Sequence, residues 1–500
     1  MHDIFGIILN AGVYAPFVAA IIMIAFWQFI SNGLAKFLSV LSALILATSG
    51  VVIWAFASVN DSMLQYLLAE SSVDSILPAF ALNGVSLPMY LLAGLVGLAA
   101  TLQASNAKIK NVKLFYFLLM IMLGGLAGAF ASVNVVWIYA FHEFALVPTF
   151  IAMVLWGSAG GRLAAMQMAI YLTIGALVSL IGIIAIYSQS GAESFGLREI
   201  LIAVSSAPLS AQWQYVIFGL LLFGLGTLVS LFPFYSWAPR TYATAPTAFA
   251  MLHAGVLKKF GLYLLIQLAL VALPLGVSAW SQTMAVLALV NIVFIGLVTM
   301  AQRDLKMMVS YSSVAHMGVC FLGIATMSIL GVGASIIFMF GHGLSVALML
   351  MLSTAVVNRT GEWEMKKMGG LYKQTPVLAS FFLAGTFASL GLPCFANFWG
   401  ELGVFVALWD FSPVVCAIAA TGIIISAIYG LRAFAAVFMG EPSETFAPRF
   451  SEVADLTLKE KIPALILVVA LVFVGFYPKS ITADINSFFN APSVQSTQTK

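Results

Sequence analysis

Apolar runs long enough to cross a bilayer recur from one end of this chain to the other. Few folds tolerate that. A hydrocarbon layer about 30 Å thick takes about 20 residues of helix to cross. Inside it the backbone must satisfy its own hydrogen bonds, which leaves helices and closed barrels. The runs here are too long for barrel strands. Fourteen candidate spans lie in 8–29, 35–57, 82–104, 113–132, 134–156, 163–187, 212–235, 245–272, 279–301, 304–327, 331–357, 376–408, 412–438 and 461–478. Charged residues make up 8% of the chain, against about 25% in a soluble protein. The predicted class is an all-α polytopic membrane protein, with lipid and not nucleic acid as its surroundings.

The basic residues set an orientation. Numbering the loops from the first span, odd loops hold sixteen of the 21 lysines and arginines, among them Lys36, Lys110, Lys113, Arg162, Arg240, Arg303, Lys306, Arg359, Lys366, Lys367 and Lys373. Even loops hold only Arg198. Positive charge collects on the cytoplasmic side, so both termini are predicted to lie outside. No basic segment or small-residue cleavage pattern precedes the first span, which is expected to be retained. Cys320, Cys394 and Cys416 all fall in apolar segments, and no cluster has metal-ligand spacing. No metal or bound cofactor is expected. The loop 439–460 is long and charged, and fits a docking surface or a solvated linker equally well.

Two spans contain a proline that a continuous helix would not tolerate cheaply: Pro233 in the seventh and Pro393 in the twelfth. The breaks are five spans apart. Helices 4–8 and 9–13 therefore read as two five-helix repeats, and an odd number of crossings inverts the second. Interrupted helices at matching places in inverted repeats mark a transport site near the mid-plane. The predicted organisation is a three-helix segment (1–112), a first repeat (113–275), a second repeat (276–440), a loop with the last helix (441–490), and a disordered tail (491–500).

Ionisable residues inside spans are the candidate chemistry. They are His142 and Glu143 in the fifth span, His253, Lys258 and Lys259 in the eighth, His316 in the tenth, His342 in the eleventh and Glu401 in the twelfth. A lysine at the bilayer centre costs about 2.5–3.5 kcal/mol on insertion scales, so such residues turn inward and pair. Burial favours the neutral amine over the ammonium, which lets a buried lysine exchange protons near neutral pH. Adjacent residues on a helix point about 100° apart. Only one of Lys258 and Lys259 can face a narrow path squarely. Each histidine fits an interhelical hydrogen bond as well as a relay. Ser312 and His316, four apart, share a helix face.

Several stretches resemble the antiporter-like subunits of proton-translocating NADH–quinone oxidoreductase (complex I). They are HEFALVPTFIAMVLWG (142–157), PFYSWAPRTYATAPTA (233–248), AGVLKKFGLYLL (254–265), DLKMMVSYSSVAHMG (304–318), HGLSVALMLM (342–351), MGGLYKQTP (368–376) and SLGLPCFANFWGEL (389–402). The likeness runs from about 80 to 435 and is nearest the subunit M (chain 4) type. Glu401 stands where the N-type and the cation/proton antiporter relatives usually carry lysine. Only about 20 residues follow the last span, too few for the long lateral helix of the L-type. The resemblance implies that Glu143, Lys259 and Glu401 form a lateral proton relay, with His316, His342 and Lys258 in support. It implies other membrane-arm subunits, L-type and N-type, as neighbours. It also implies a place in an enzyme complex of an inner membrane, with no redox chemistry in this chain.

The departures from the family pattern are equally specific. Leu228 stands where the family has a lysine five residues before the proline of the seventh span. Tyr235 and Tyr242 replace histidines, Arg240 an aspartate and Asn83 an aspartate. Glu143 is therefore left without its usual cation. Lys258, which falls where the family has leucine, is one substitute, and His142 is another. Three functions stay open: a proton-translocating complex I subunit, an ion-translocating subunit of a cation/proton antiporter or membrane-bound hydrogenase, and a non-pumping spacer.

Overall fold

The computed structural model describes residues 2–57, 78–107 and 109–489. The tail 491–500 lies outside them. The described residues are helical, with no strand and only three isolated bridges. Among the described residues, twelve helices are long and apolar enough to cross a membrane. They are α1 (Ile4–Ala25), α2 (Asn32–Phe56), α3 (Ser86–Ser105), α4 (Val112–Ala131), α5 (Val135–Trp156), α6 (Gly161–Ser190), α7a (Ala211–Val229), α8 (Thr247–Ala272), α9 (Pro274–Ala301), α10 (Leu305–Ala325), α11 (Ile329–Thr360) and α13 (Pro413–Phe438). Four further helices matter: α7b (Trp237–Thr244), the pair α12a (Pro376–Ser389) and α12b (Ala396–Phe411), and α14 (Leu458–Phe476). Two shorter helices, Leu197–Ser206 and Lys479–Phe489, were not foreseen from the sequence.

Side chains that begin helices satisfy the first free amides, as polar caps must. Asn134 accepts from Val136 and Trp137 at the start of α5, and Asp304 from Met307 at the start of α10. The helices α8 and α11 are enclosed on every side, whereas α1, α6 and α13 turn much of their surface outward. The enclosed pair is the axis of the bundle.

Both predicted breaks are present. The chain leaves α7a through Ser230, in left-handed backbone, and re-enters helix at Trp237. Such a break frees backbone groups that lipid cannot satisfy. Asn291 satisfies them: its Nδ2 donates to Ser230 O (3.1 Å) and Val314 O (3.2 Å), and its Oδ1 accepts from Phe232 N (2.7 Å). Asn291 is fully buried and opens a π-helical turn, Asn291–Ile295, within α9.

The eighth span is not the regular helix its sequence suggests. Its α-helical ladder stops at Gly255, tightens to a 3₁₀ turn at Leu257–Lys259, and widens to a π turn at Leu265–Ala269. Departures of this kind inside helices cluster at functional sites.

Candidate functional site

The site begins where two backbones nearly touch. A Cβ added to Gly255 on α8 would lie 2.9 Å from Gly343 O on α11, and one added to Gly343 would lie 2.6 Å from Gly255 O. Only glycine permits that approach at either position. It brings Lys259 of α8 beside His342 of α11.

Lys259 is fully buried. Its Nζ donates to Ala254 O at 2.7 Å and lies 2.9 Å from His342 Nδ1. His342 Nε2, on the far side of the ring, has no partner among the described residues. The His316 ring stands 5.6 Å from it, nearly perpendicular, and His316 Nε2 is likewise buried and unpartnered. Buried polar atoms are rarely left without hydrogen bonds, and water commonly supplies them.

Two small cavities continue the line. One is bounded by His342, His316, Ser312, Ser345, Thr386 and Tyr429. The other is bounded by His316, Tyr429, Ser426 and Glu401. His316 and Tyr429 belong to both, so the two meet at that pair. The space open to the centre of a water molecule is about 20 Å³ in the first and about 30 Å³ in the second. About 10–15 Å³ admits one water. Lys259 lines neither cavity and reaches the first only through its bond to His342, while Glu401 lines the second; apolar side chains make up most of both walls. The Glu401 carboxylate rests on Gly391, which has φ +63° in the break between α12a and α12b.

Lys258 points elsewhere, as its position one residue from Lys259 requires. Its Nζ donates to Ser313 O at 3.1 Å and reaches Ser313 Oγ at 3.5 Å. It also stands 5.4 Å above the Tyr242 ring. It makes no contact with Glu143, so the structure does not place it as that residue's direct cation.

Glu143 corrects the sequence reading in a second way. It does not face the bundle interior. Its side chain is 48% exposed on the outer face of α5, near the exposed Phe144 and Val147. The one cationisable group paired with it among the described residues is His142, whose Nδ1 lies 3.4 Å from Glu143 Oε1. The two atoms are close but not aligned for a hydrogen bond. His142 itself is buried and stacked on Phe260, ring centroids 4.2 Å apart. Glu143 and Lys259 are not in direct contact.

Sequence reasoning did not single out Asn291, Tyr429, Ser313 or Gly391. Asn291 and Tyr429 were findable, as isolated polar side chains within apolar spans. Among the described residues no group of histidines, cysteines and carboxylates could hold a metal ion.

A helical membrane protein with buried ionisable side chains along its centre is the class these features define. A family model described as NADH:quinone oxidoreductase/Mrp antiporter, TM, matches residues 132–426. The chain belongs to that family. It is 33% identical over 411 residues to an NAD(P)H-quinone oxidoreductase chain 4 of Synechococcus sp. (strain JA-3-3Ab), covering 81% of this chain and 77% of the relative. It is 27% identical over 478 residues to NADH-quinone oxidoreductase subunit M of Rickettsia prowazekii (strain Madrid E), covering 95% and 96%. In fold it resembles a chain of respiratory complex I from Thermus thermophilus, with TM-score 0.81, 24% identity and coverage of 96% and 98%. It also resembles a chain of the Mrp complex from Dietzia sp. DQ12-45-1b, with TM-score 0.84, 18% identity and coverage of 98% and 99%.

Proposed function

We propose that this chain is a proton-translocating, antiporter-like subunit in the membrane arm of a respiratory NADH–quinone oxidoreductase. One observation carries the reading: Lys259, buried at the bundle axis, is hydrogen-bonded to His342, which borders a water-sized cavity with His316 and Tyr429, and those two residues border a second such cavity with Glu401. An imidazole can accept a proton at one nitrogen and release one from the other. Lys259 meets His342 at Nδ1, and the free Nε2 is the outlet toward His316. Buried titrating groups in contact do not titrate independently. A charge change imposed at one end of the file therefore alters proton occupancy at the other. Quinone reduction elsewhere in the complex supplies that change, and this chain contributes no redox chemistry and binds no cofactor.

Counting the α7a–α7b and α12a–α12b pairs as single crossings and adding α14 makes fourteen spans. Two bridges support the inverted repeat. Asn134, just before α5, pairs with Gly196 after α6, and Asp304, just before α10, pairs with Glu364 after α11. These are matching places five helices apart. Both termini lie on the non-cytoplasmic side of an inner membrane in this reading. A half-exposed carboxylate on α5 is costly against lipid, which favours a neighbouring membrane-arm subunit covering that face.

The test is the proton-to-electron ratio of the assembled complex in membrane vesicles. Lys259→Ala is expected to assemble and to lower the ratio. An unchanged ratio in the intact complex would leave only the spacer function.

A further inference from the structure

We infer that His142 is the proton-carrying partner of Glu143, and that it opens an inward branch to Lys258 by way of His253. The inference rests on the reading above and adds an input that Lys259, His342 and Glu401 do not supply.

Three observations lead to it. His142 is buried, yet its Nδ1 is 3.4 Å from a carboxylate on the outer face of α5. It stands at the boundary between the exposed acid and the enclosed α8. Its Nδ1 has no hydrogen-bond partner, although a histidine kept only for packing would be anchored at its polar atoms. Next, His253 is buried, with its own Nδ1 unpartnered, on the stretch Thr247–Gly255 of α8 that packs against α5, the helix of His142. The rings of Trp237 and Tyr242 flank it, at 5.5 and 5.4 Å, and the Tyr242 hydroxyl is a further buried atom without a partner. Finally, Lys258 sits over that same Tyr242 ring with its Nζ held by Ser313. Polar atoms in need of hydrogen bonds thus run from Glu143 to Lys258 along a different line from the Lys259–Glu401 file.

The step balances simply. The Glu143 carboxylic acid gives its proton to His142 Nδ1 and becomes a carboxylate. The resulting imidazolium releases the proton on its other nitrogen inward to the unpartnered Nδ1 of His253, which passes one from its own other nitrogen to the neutral amine of Lys258, and both rings return to neutral. Phe260, stacked on His142 and following Lys259 in sequence, fixes the ring in that position.

The experiment compares His142→Gln, His142→Phe and Lys259→Ala in the assembled complex, reading proton-to-electron ratio, quinone reductase activity and assembly. Phenylalanine keeps the stack on Phe260, and glutamine keeps hydrogen bonding without titration. Both are expected to assemble and to lower the ratio as far as Lys259→Ala does. Adding His142→Gln to Lys259→Ala should lower it no further. A wild-type ratio in either assembled His142 variant, with a lowered ratio in Lys259→Ala, would overturn the inference and leave the function standing. A wild-type ratio in Lys259→Ala would overturn the function itself.

Discussion

Replacing Gly391 by alanine isolates one requirement of the site, the placement of the Glu401 carboxylate. Two costs follow from the geometry. At φ +63° an L-residue pays about 1–2 kcal/mol that glycine does not. The added Cβ would also overlap Glu401 Oε2 and lie 2.8 Å from its Cδ. Carbon atoms in contact stand about 3.5–4.0 Å apart, so the carboxyl carbon must retreat by about 1 Å. A displacement of about 1 Å in a reacting group can cost about 10²-fold in rate. The complex should therefore assemble and still pump poorly, as read by vesicle acidification at matched quinone reductase activity. Gly440→Ala is the control. Gly440 has φ +74°, but a Cβ there meets nothing within 4 Å. It carries the backbone strain without the collision and should pump normally. Glu401→Asp, shorter by one methylene, should partly relieve Gly391→Ala. Normal pumping in assembled Gly391→Ala, or equal loss in Gly440→Ala, would refute the reasoning.

Other outcomes follow from single contacts. Asn291→Ala strips the hydrogen bonds across the break after α7a, leaving buried groups unpaired at about 1–3 kcal/mol each; the unfolding midpoint in detergent should drop clearly, and no drop would mean the break holds itself. Arg359 grips Glu460 of α14 through two bonds of 3.1 and 3.0 Å and also donates to Ala454 O and Asp455 O. Lysine cannot reproduce that fork, so Arg359→Lys should loosen α14 by about 1–3 kcal/mol, seen as faster proteolysis of loop 439–460. Tyr429→Phe removes the one hydroxyl bordering both cavities; assembly should be intact and proton transfer slowed several-fold, and an unchanged rate would make the ring, not the hydroxyl, the relevant part.

How much of this was legible beforehand varied with the physics involved. Lys259, His316, His342 and Glu401 stood out because charge and imidazole in apolar spans are expensive, and cost is readable from composition. The breaks were readable because proline has no backbone N–H to donate. The direction of Glu143 was not. A helix apolar on all sides has no stripe that says which face is inside, so Glu143 read as an interior residue although its side chain reaches the surface. The 3₁₀ and π turns around Lys259 were also hidden. They carry no proline, and the local glycines serve close helix approaches, Gly255 to α11 and Gly261 to α7a, not a turn. The importance of Gly391 depended on Glu401, ten residues away, folding back onto it.

Water between the two histidines and Glu401 decides the central claim. A structure of the intact complex resolved well enough to place solvent should show at least one ordered water in the cavity bounded by His342, His316 and Tyr429, and at least one more beside Glu401. Together they should link His342 Nε2 to the Glu401 carboxylate in steps of hydrogen-bond length. Two dry cavities, or side chains closed across the passage with His316 and Glu401 bonded only to protein, would contradict it.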